Sequence, residues 1–559
     1  KTWKIRPAQP GLQLALNSKL GIHPLLAQLL INRGITSANE AKDFISPDLS
    51  RLHSSEKLKD LCKAVSRIRK AGQKKEKVLI FSDYDCDGIT ACVLLRETLE
   101  KLGIASQYYI PHRVNEGYGL NGNAASIAKE CQASLLISVD CGVTAFKEIV
   151  ALNQSGCEVI VIDHHETQKE KLPAATAIID PKRPDCAYPF KELASVGLVY
   201  KLAQALLEEN LKEELDLVAL GTISDVMSLT GENRILVKVG LEQIGKSRRP
   251  GIRALLETSG LKNKEISVGM VGFVLGPRIN ACGRIDSAEK AMHLLSAKEI
   301  NKALKLAKDL EEQNRQRQKI QEQVLSEALS LVEKEVNFRD HNVIVLSREG
   351  WHPGVLGIVA ARITEKFYRP TIVISLEEGK GRGSGRSIER FHLFEALKNC
   401  AHFLEEFGGH SHAAGLTIAQ EKIDPFRKML NEFAKLNLLA EDLLPTLSID
   451  AQVPLSMLSV ELVRDLEKLA PFGAGNPQPV LCSCGLTVKS APQLMGKETI
   501  KFWVSDGKLT CQVVGFGRAD LIPFIRAEER VNLAYTPSID DWQDEPLVQL
   551  ELKDVKTLD

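Results

Sequence analysis

The densest chemistry in the chain lies in Ser82-Asp83-Tyr84-Asp85-Cys86-Asp87-Gly88. Three carboxylates alternate directly behind the apolar run Val78-Leu79-Ile80-Phe81, and a glycine and a helix-prone stretch follow. Carboxylates this close repel one another and oppose folding unless a cation neutralises them. An EF-hand calcium loop needs a helix before it and a Glu at its twelfth position. Here a strand-like run precedes, and the twelfth position from Asp83 is Leu94. A solvated acidic turn is the plainer alternative, but the same punctuation recurs twice. One apolar run ends in Val139-Asp140-Cys141-Gly142, and another ends in Ile162-Asp163-His164-His165. In an open parallel sheet, ligands gather at the carboxyl ends of the strands. Three strands each ending in Asp therefore aim their carboxylates into one crevice. One such Asp reads as a helix cap; three with a paired histidine read as a metal site.

Mostly carboxylate oxygen with one imidazole suits Mn²⁺ or Mg²⁺ better than zinc. The carboxylate count suggests two ions with one Asp bridging, a cluster suited to in-line attack at phosphorus. Asp225, in Gly221-Thr222-Ile223-Ser224-Asp225, reads by itself as a surface or capping residue.

The elements that must position these groups follow from periodicity. Residues 78–81, 107–110, 135–139, 159–162 and 177–179 read as short strands, with helices at 89–102 and 144–153 between them. That alternation predicts a mostly parallel α/β sheet. Residues 195–210 and 211–223 read as helical. Residues 297–335 form one charged, helix-prone stretch with no Gly or Pro; its polar middle suits a helix bridging two domains, and its apolar spacing is not a sustained heptad. A second α/β unit follows, with strands at 343–346 and 371–375 and helices at 355–367 and 391–406. Between them, 379–385 reads as a glycine-rich turn. Beyond about residue 447 the strands are short and separated by Gly, Pro and Asp, which predicts a small β-barrel. At the start, 20–32 has helical spacing, and Ser37-Ala38-Asn39-Glu40 has the form of a capping box.

The chain's 559 residues exceed one ordinary domain, and 44% hydrophobic and 26% charged residues suit folded cores. Lys+Arg and Asp+Glu are both 72, so any nucleic-acid surface must be local and balanced elsewhere. The twelve cysteines contain no C-x-x-C pair, which points away from zinc ribbons and toward a reduced, cytoplasmic protein. No apolar run approaches the roughly 20 residues that span a bilayer, so no membrane is expected.

Taken in order, these motifs resemble the DHH phosphoesterase family. Further marks are Gly276-Pro277-Arg278-Ile279-Asn280-Ala281-Cys282-Gly283-Arg284, His352-Pro353-Gly354-Val355-Leu356-Gly357, and Gly408-Gly409-His410 with Ala413-Ala414-Gly415. The resemblance is to its single-stranded-DNA exonuclease branch and covers most of the chain. It implies an α/β multidomain protein: an N-terminal helical segment (1–75), a parallel-sheet DHH domain (76–296), the bridging helix (297–337), an α/β DHHA1 domain (338–440) and a C-terminal OB-fold (445–559). It implies processive 5′-to-3′ degradation of single-stranded DNA. Asp85 and Asp140 would hold one metal; Asp87, Asp140, His164 and Asp225 would hold the other; Asp83 would be a ligand or an outer support. Many members carry a histidine where this chain has Phe81, which would leave the first metal one ligand short. His165 would touch the scissile phosphate or act as an acid, and Asp163 would orient a neighbouring histidine. Single-strand binding protein and a RecQ-like helicase are partners by resemblance only.

Several basic residues stand where DNA would bind. Arg113 precedes Asn115-Glu116-Gly117-Tyr118-Gly119 and matches a contact to the DNA 5′ end; a surface loop is its other reading. Arg278, Asn280 and Arg284 fall in a Gly-bounded turn, either as phosphate contacts or as partners of Asp286 or Glu289. In Gly381-Arg382-Gly383-Ser384-Gly385-Arg386, glycines let backbone N–H groups converge on an anion and Arg adds bidentate contacts. A flexible loop is the alternative. By resemblance Ser384 and Arg386 form a 5′-phosphate pocket. His410 is favoured over His352 and His412 as a substrate contact. Phe502, Trp503, Phe516, Tyr535 and Trp542 are either base-stacking or core residues. Two other functions use comparable parts: a DHH enzyme acting on pyrophosphate, a cyclic dinucleotide or nanoRNA, and a catalytically silent DNA-binding module.

Overall fold

A computed structural model describes residues 1–113, 116–117, 119–167, 171–541 and 545–558. Asn115, Tyr118 and Trp542 lie outside the described residues. The chain forms two compact units, one of residues 53–227 and 231–444, the other of residues 1–52, 228–230 and 445–559.

The larger unit begins with a five-stranded parallel sheet in the order Ser106–Tyr109, Val78–Ser82, Leu135–Val139, Glu158–Ile162, Ala177–Ile179. Its middle strands are buried on both faces, which explains why they read as continuous apolar runs. The register pairs Ser82 with Val139, Val139 with Ile162 and Ile162 with Ile179. The next residue on each of these four strands is an aspartate: Asp83, Asp140, Asp163 and Asp180.

The helix Cys86–Lys101 starts where the Asp85 carboxylate accepts the N–H groups of Asp87 and Gly88, at 2.9 and 3.1 Å. Gly88 is required there, because a Cβ would lie 2.6 Å from the Asp83 carbonyl oxygen. Residues 276–284, expected as a turn, instead form the helix Gly276–Ile285, entered through a π-helical segment Val271–Leu275. Pro277 sits in the first turn, where its missing N–H is harmless. Gly283 serves close packing rather than turning: its Cβ would lie 2.7 Å from the Tyr84 carbonyl oxygen.

The long helix is Ile300–Glu335. Its first half packs on the helices Pro250–Thr258, Gly276–Ile285 and Glu289–Leu295, and its second half on Leu356–Phe367. Ala303, Ala307, Leu310, Val324, Ala328 and Val332 line the buried stripe.

A second sheet has the order Leu404–Gly409, Ala413–Ala419, Lys380–Arg386, Thr371–Glu377, Ile344–Glu349. Two expectations are corrected here. The glycine-rich stretch is not a turn but the central strand Lys380–Arg386, paired on both sides. Gly381, Gly383 and Gly385 alternate along one face, where Cβ atoms would lie 2.7–2.9 Å from Ile374, Leu416 and Leu393. The glycines thin the strand for packing, and the ladder consumes the N–H groups expected to cradle an anion. The helix expected over 391–406 stops at Asn399, and Leu404–Gly409 is the edge strand of a hairpin.

In the smaller unit, the strands Leu481–Val488, Arg530–Asp540, Leu547–Thr557, Thr510–Gly515 and Thr499–Ser505 pair in that order. The first and last also pair, Thr487 opposite Ser505, so the sheet closes into a five-stranded barrel. Residues 1–52 belong to this unit rather than to a segment ending at 75. The helix Pro24–Asn32 is buried nearly all round and needs a partner surface. It finds one in the barrel core, where Leu26, Leu29 and Leu30 join Phe502, Leu533 and Leu550. Thr2–Ile5 pairs in parallel with Thr446–Ile449. Residues 61–74 form the helix Leu61–Lys74 in the larger unit, tied to its sheet by Arg67 and Glu158 at 2.6 Å. Among the described residues no single helix is long and apolar enough to cross a membrane.

Candidate metal centre

The strand-end Asp83 and Asp140 converge with the acid loop, His164 and Asp225. His164 Nε2 lies 3.3 Å from Asp140 Oδ1, 3.5 Å from Asp225 Oδ2 and 3.8 Å from Asp87 Oδ2. Asp83, Asp85 and Asp140 each offer an oxygen within 4.8 Å of the others, beside the group of Asp87, His164 and Asp225. Asp140 sits between both groups and holds a left-handed backbone, φ 62°, a conformation that functional sites retain at some cost. Asp225 arrives from the end of the helix Leu215–Ser224. The ring of Phe81 is fully buried, 5.4 Å from Tyr109, so position 81 supplies core rather than a ligand.

Burial and then the charge of Asp85 push the Asp87 carboxyl up to about 7. Asp83, Asp140 and Asp225 are held well above the ordinary carboxylate range by burial and then by the charges of Asp85 and Asp87. Asp83 Oδ1 is buried with no hydrogen-bond partner. Burial, then the charge of His165, depress His164 to about 3, so its imidazole stays neutral, with Nε2 facing the carboxylates. Clustered buried carboxylates with an orphaned oxygen and a neutral imidazole are a donor set for hard divalent cations.

Asp163 is buried and turned away from this cluster. Its Oδ1 lies 2.7 Å from His165 Nδ1 and accepts the N–H groups of His164 and His165, while Oδ2 accepts the Val143 N–H. Burial would raise Asp163, but the His165 hydrogen bond and charge hold it below the usual range. Burial opposes charge on His165 too, yet the Asp163 contact pushes it up to about 9. The histidine oriented by Asp163 is therefore His165, which stays an imidazolium at neutral pH.

The basic residues expected to meet substrate divide into two kinds. Arg113 lies over the Tyr84 ring at 5.0 Å. Arg284 donates to the Gly354 carbonyl at 3.3 Å, and burial with the charges of Arg113 and Arg317 lowers it to about 10. Arg386 donates to the Gly385 carbonyl at 2.8 Å and lies 3.5 Å from Ser384 Oγ; burial and the charge of Arg113 lower it. Among the described residues none of these three guanidiniums has a carboxylate partner. Partial desolvation, then the charge of His165, lower the His410 imidazole, so the two histidines share one region. Gly357 permits the approach of Leu356–Phe367, because a Cβ there would lie 3.0 Å from both Ser384 Oγ and Arg386 Nη2.

Arg278 and Asn280 are differently engaged. Arg278 pairs with Glu311 of the long helix at 2.5 Å and donates to the Val274 carbonyl at 2.6 Å, pinning the π-helical segment. Asn280 Oδ1 accepts the Cys86 N–H at 2.8 Å. His352 caps its own turn through Gly354 N–H, and His412 is exposed. In the barrel, Phe502 and Tyr535 are core, whereas Trp503 and Phe516 are exposed.

Two residues escaped the sequence reading. Ser195 Oγ donates to Asp140 Oδ1 at 3.0 Å, while the N–H groups of Ser195 and Val196 donate to Asp87. Only the tertiary fold brings that helix start to the acid loop. Asp180 is fully buried with an unpartnered Oδ2. Its signal was present: it follows a strand-like run, as the other three aspartates do.

Known proteins share these features. Residues 77–222 match the DHH family, N-terminal domain; 340–436 match the DHHA1 domain; 449–554 match the RecJ OB domain. The single-stranded-DNA-specific exonuclease RecJ of Bacillus subtilis is 38% identical over 556 residues, covering 99% of this chain and 70% of that protein. The protein of the same description from Dickeya dadantii is 34% identical, covering 94% of this chain and 95% of its own. The crystal structure of RecJ in complex with Mn²⁺ from Thermus thermophilus superposes with a TM-score of 0.85 at 28% identity, covering all of this chain and 80% of that one. The chain belongs to the RecJ family, within the DHH phosphoesterases.

Proposed function

We propose that this protein is a metal-dependent 5′-to-3′ exonuclease that hydrolyses single-stranded DNA to 5′-mononucleotides in DNA repair and recombination. The observation that carries the reading is the meeting, in one compact unit, of a buried carboxylate–imidazole cluster with guanidiniums that have no carboxylate partner among the described residues. The first is suited to cations and the second to phosphates.

Asp83, Asp85 and Asp140 would hold one divalent ion, with Asp83 standing in for the ligand that Phe81 does not provide. Asp87, Asp140, His164 and Asp225 would hold the second. When bound, two Mn²⁺ or Mg²⁺ ions supply an activated water and neutralise charge on the phosphate oxygens. The His165 imidazolium, held by Asp163, donates a hydrogen bond to the scissile phosphate or a proton to the leaving 3′-oxygen. Arg113, Arg284, Ser384 and Arg386 seat the terminal 5′-phosphate, and His410 touches the same strand end. Arg278 and Asn280 act by positioning rather than by contact. Polarity follows, because only a 5′ end could seat its phosphate while the next phosphodiester reaches the metals.

The assignments of 76–296 to catalysis, 338–440 to substrate binding and 445–559 to DNA tracking belong to this proposal. Exposed Trp503 and Phe516 are the barrel residues suited to stacking bases. The proposed location is the cytoplasm, with single-strand binding protein and a RecQ-like helicase as partners suggested by the family alone.

The test is incubation with Mn²⁺ and single-stranded DNA labelled at one end. Immediate mononucleotide release from a 5′ label, with gradual shortening of a 3′-labelled strand, is expected. Hydrolysis of a dinucleotide or pyrophosphate while the polymer stays intact would move the protein to the small-substrate branch.

A further inference from the structure

The middle of the long helix holds a residue that the fold alone does not explain. Arg317 is only 9% exposed. Its Nη2 donates to Asn314 Oδ1 at 2.6 Å and its Nη1 to Gln321 Oε1 at 2.8 Å. Both partners are neutral amides of its own helix. Its Nε is buried with no partner. Among the described residues no carboxylate pairs with it. Two other buried guanidiniums of this unit are neutralised: Arg67 by Glu76 and Glu158, and Arg183 by Asp60 and Asp185.

A buried charge without a counter-charge is strongly destabilising. Two amides fix the plane of the guanidinium but do not neutralise it, which is how a fork is held ready for an anion. Arg317 also stands beside the right surface. Its helix packs on Gly276–Ile285, the helix that carries Arg284 in its last turn. Its charge acts on Arg284 together with those of Arg113 and Arg386.

We infer that Arg317 is a further phosphate-directed residue, by which the long helix adds a fourth guanidinium to the anion site of Arg113, Arg284 and Arg386 and takes a DNA backbone phosphate as its counter-charge. The inference rests on the single-stranded-DNA reading above. It makes the helix part of the substrate site as well as a bridge. It also predicts an unusual signature: removing the charge relieves the free protein while weakening its hold on DNA.

The experiment uses the full chain with Mn²⁺ and a 5′-phosphorylated oligothymidylate protected by phosphorothioate linkages. Affinity is read by fluorescence anisotropy across a salt series, and stability by thermal unfolding without DNA. Arg317→Gln is expected to weaken binding about tenfold and to flatten the salt dependence by about one ion. Its Tm without DNA should stay level or rise. Arg317→Lys should keep the salt dependence. Unchanged affinity and slope with a lowered Tm would overturn the inference and leave Arg317 as a helix strut. If Arg317→Gln loses both affinity and Tm, Arg317→Lys decides: retained slope supports the inference, and a slope as flat as the Gln variant's rejects it. A wild-type protein that binds no oligonucleotide would instead remove the DNA reading, and this inference with it.

Discussion

Asn280 Oδ1 accepts the backbone N–H of Cys86 at 2.8 Å, joining two segments 194 positions apart. Cys86 begins the helix that carries Asp87 and follows Asp85, so one neutral amide fixes how the acid loop enters its helix.

Asn280→Ala should therefore act on the metals rather than on DNA. Mn²⁺ affinity and kcat are expected to fall roughly 10- to 100-fold, the range for groups that support metal ligands. The KM for single-stranded DNA should hold within about twofold. Calorimetric Mn²⁺ titration and steady-state kinetics check this. A large rise in KM with normal metal affinity would return Asn280 to direct substrate contact.

Asp140 groups with Asp83 and Asp85, lies 3.3 Å from His164 Nε2 of the other donor group, and holds a left-handed backbone that asparagine also tolerates. Asp140→Asn should keep the fold, abolish activity by roughly 1,000-fold or more, and raise the unfolding temperature in EDTA. Burial, then the charges of Asp87 and Asp85, oppose ionisation of this carboxyl, so its neutral replacement relieves the metal-free protein. A lower Tm in EDTA would contradict the repulsion argument.

Arg386 projects from the glycine strand toward Gly357, and among the described residues no carboxylate neutralises it. Arg386→Ala should reduce the preference for 5′-phosphorylated over 5′-hydroxyl substrate by about tenfold, near the worth of one charge-assisted contact. Competition between the two oligonucleotides measures it. An unchanged preference would remove Arg386 from the pocket.

Asp180 carries a pH signature. Burial, then the charge of Asp163 against the pull of its own hydrogen bond to Lys182 N–H, leave it at about 7. Between about pH 4 and 7 the folded protein keeps a proton that the unfolded chain has released. Stability therefore falls as pH rises through that window and levels off above it. At neutral pH the penalty is on the order of 4 kcal/mol. Asp180→Asn should match wild type near pH 4 and exceed it by a few kcal/mol near pH 8 in urea unfolding. A gap that does not change with pH would refute the assignment.

The acid loop, the strand-end aspartates and the His164-His165 pair were legible because they are local. A buried parallel strand is a short apolar run, and the residue after it is the one at the crevice. The long helix was legible for the same reason, since nothing in 300–335 breaks it.

Misreadings came where residue type serves tertiary packing rather than local geometry. Glycine has one composition signature but two uses, turning and thinning. Gly381, Gly383 and Gly385 read as a turn, yet each leaves room for Ile374, Leu416 or Leu393. Gly276 and Gly283 bounded an expected turn, yet Gly276 lets the helix pass Ser224 and Gly283 lets it cross the acid loop at Tyr84.

Which groups could form the candidate metal cluster was largely set by the order of residues, because carboxylates and imidazoles at strand ends are written in consecutive positions. Which arginines stay without a carboxylate partner among the described residues was decided by packing in three dimensions. Arg278 and Arg284 stand six residues apart on one helix, but Glu311 neutralises the first and no described carboxylate pairs with the second. Neutralisation depends on what the long helix brings alongside, and no spacing along the chain encodes that contact.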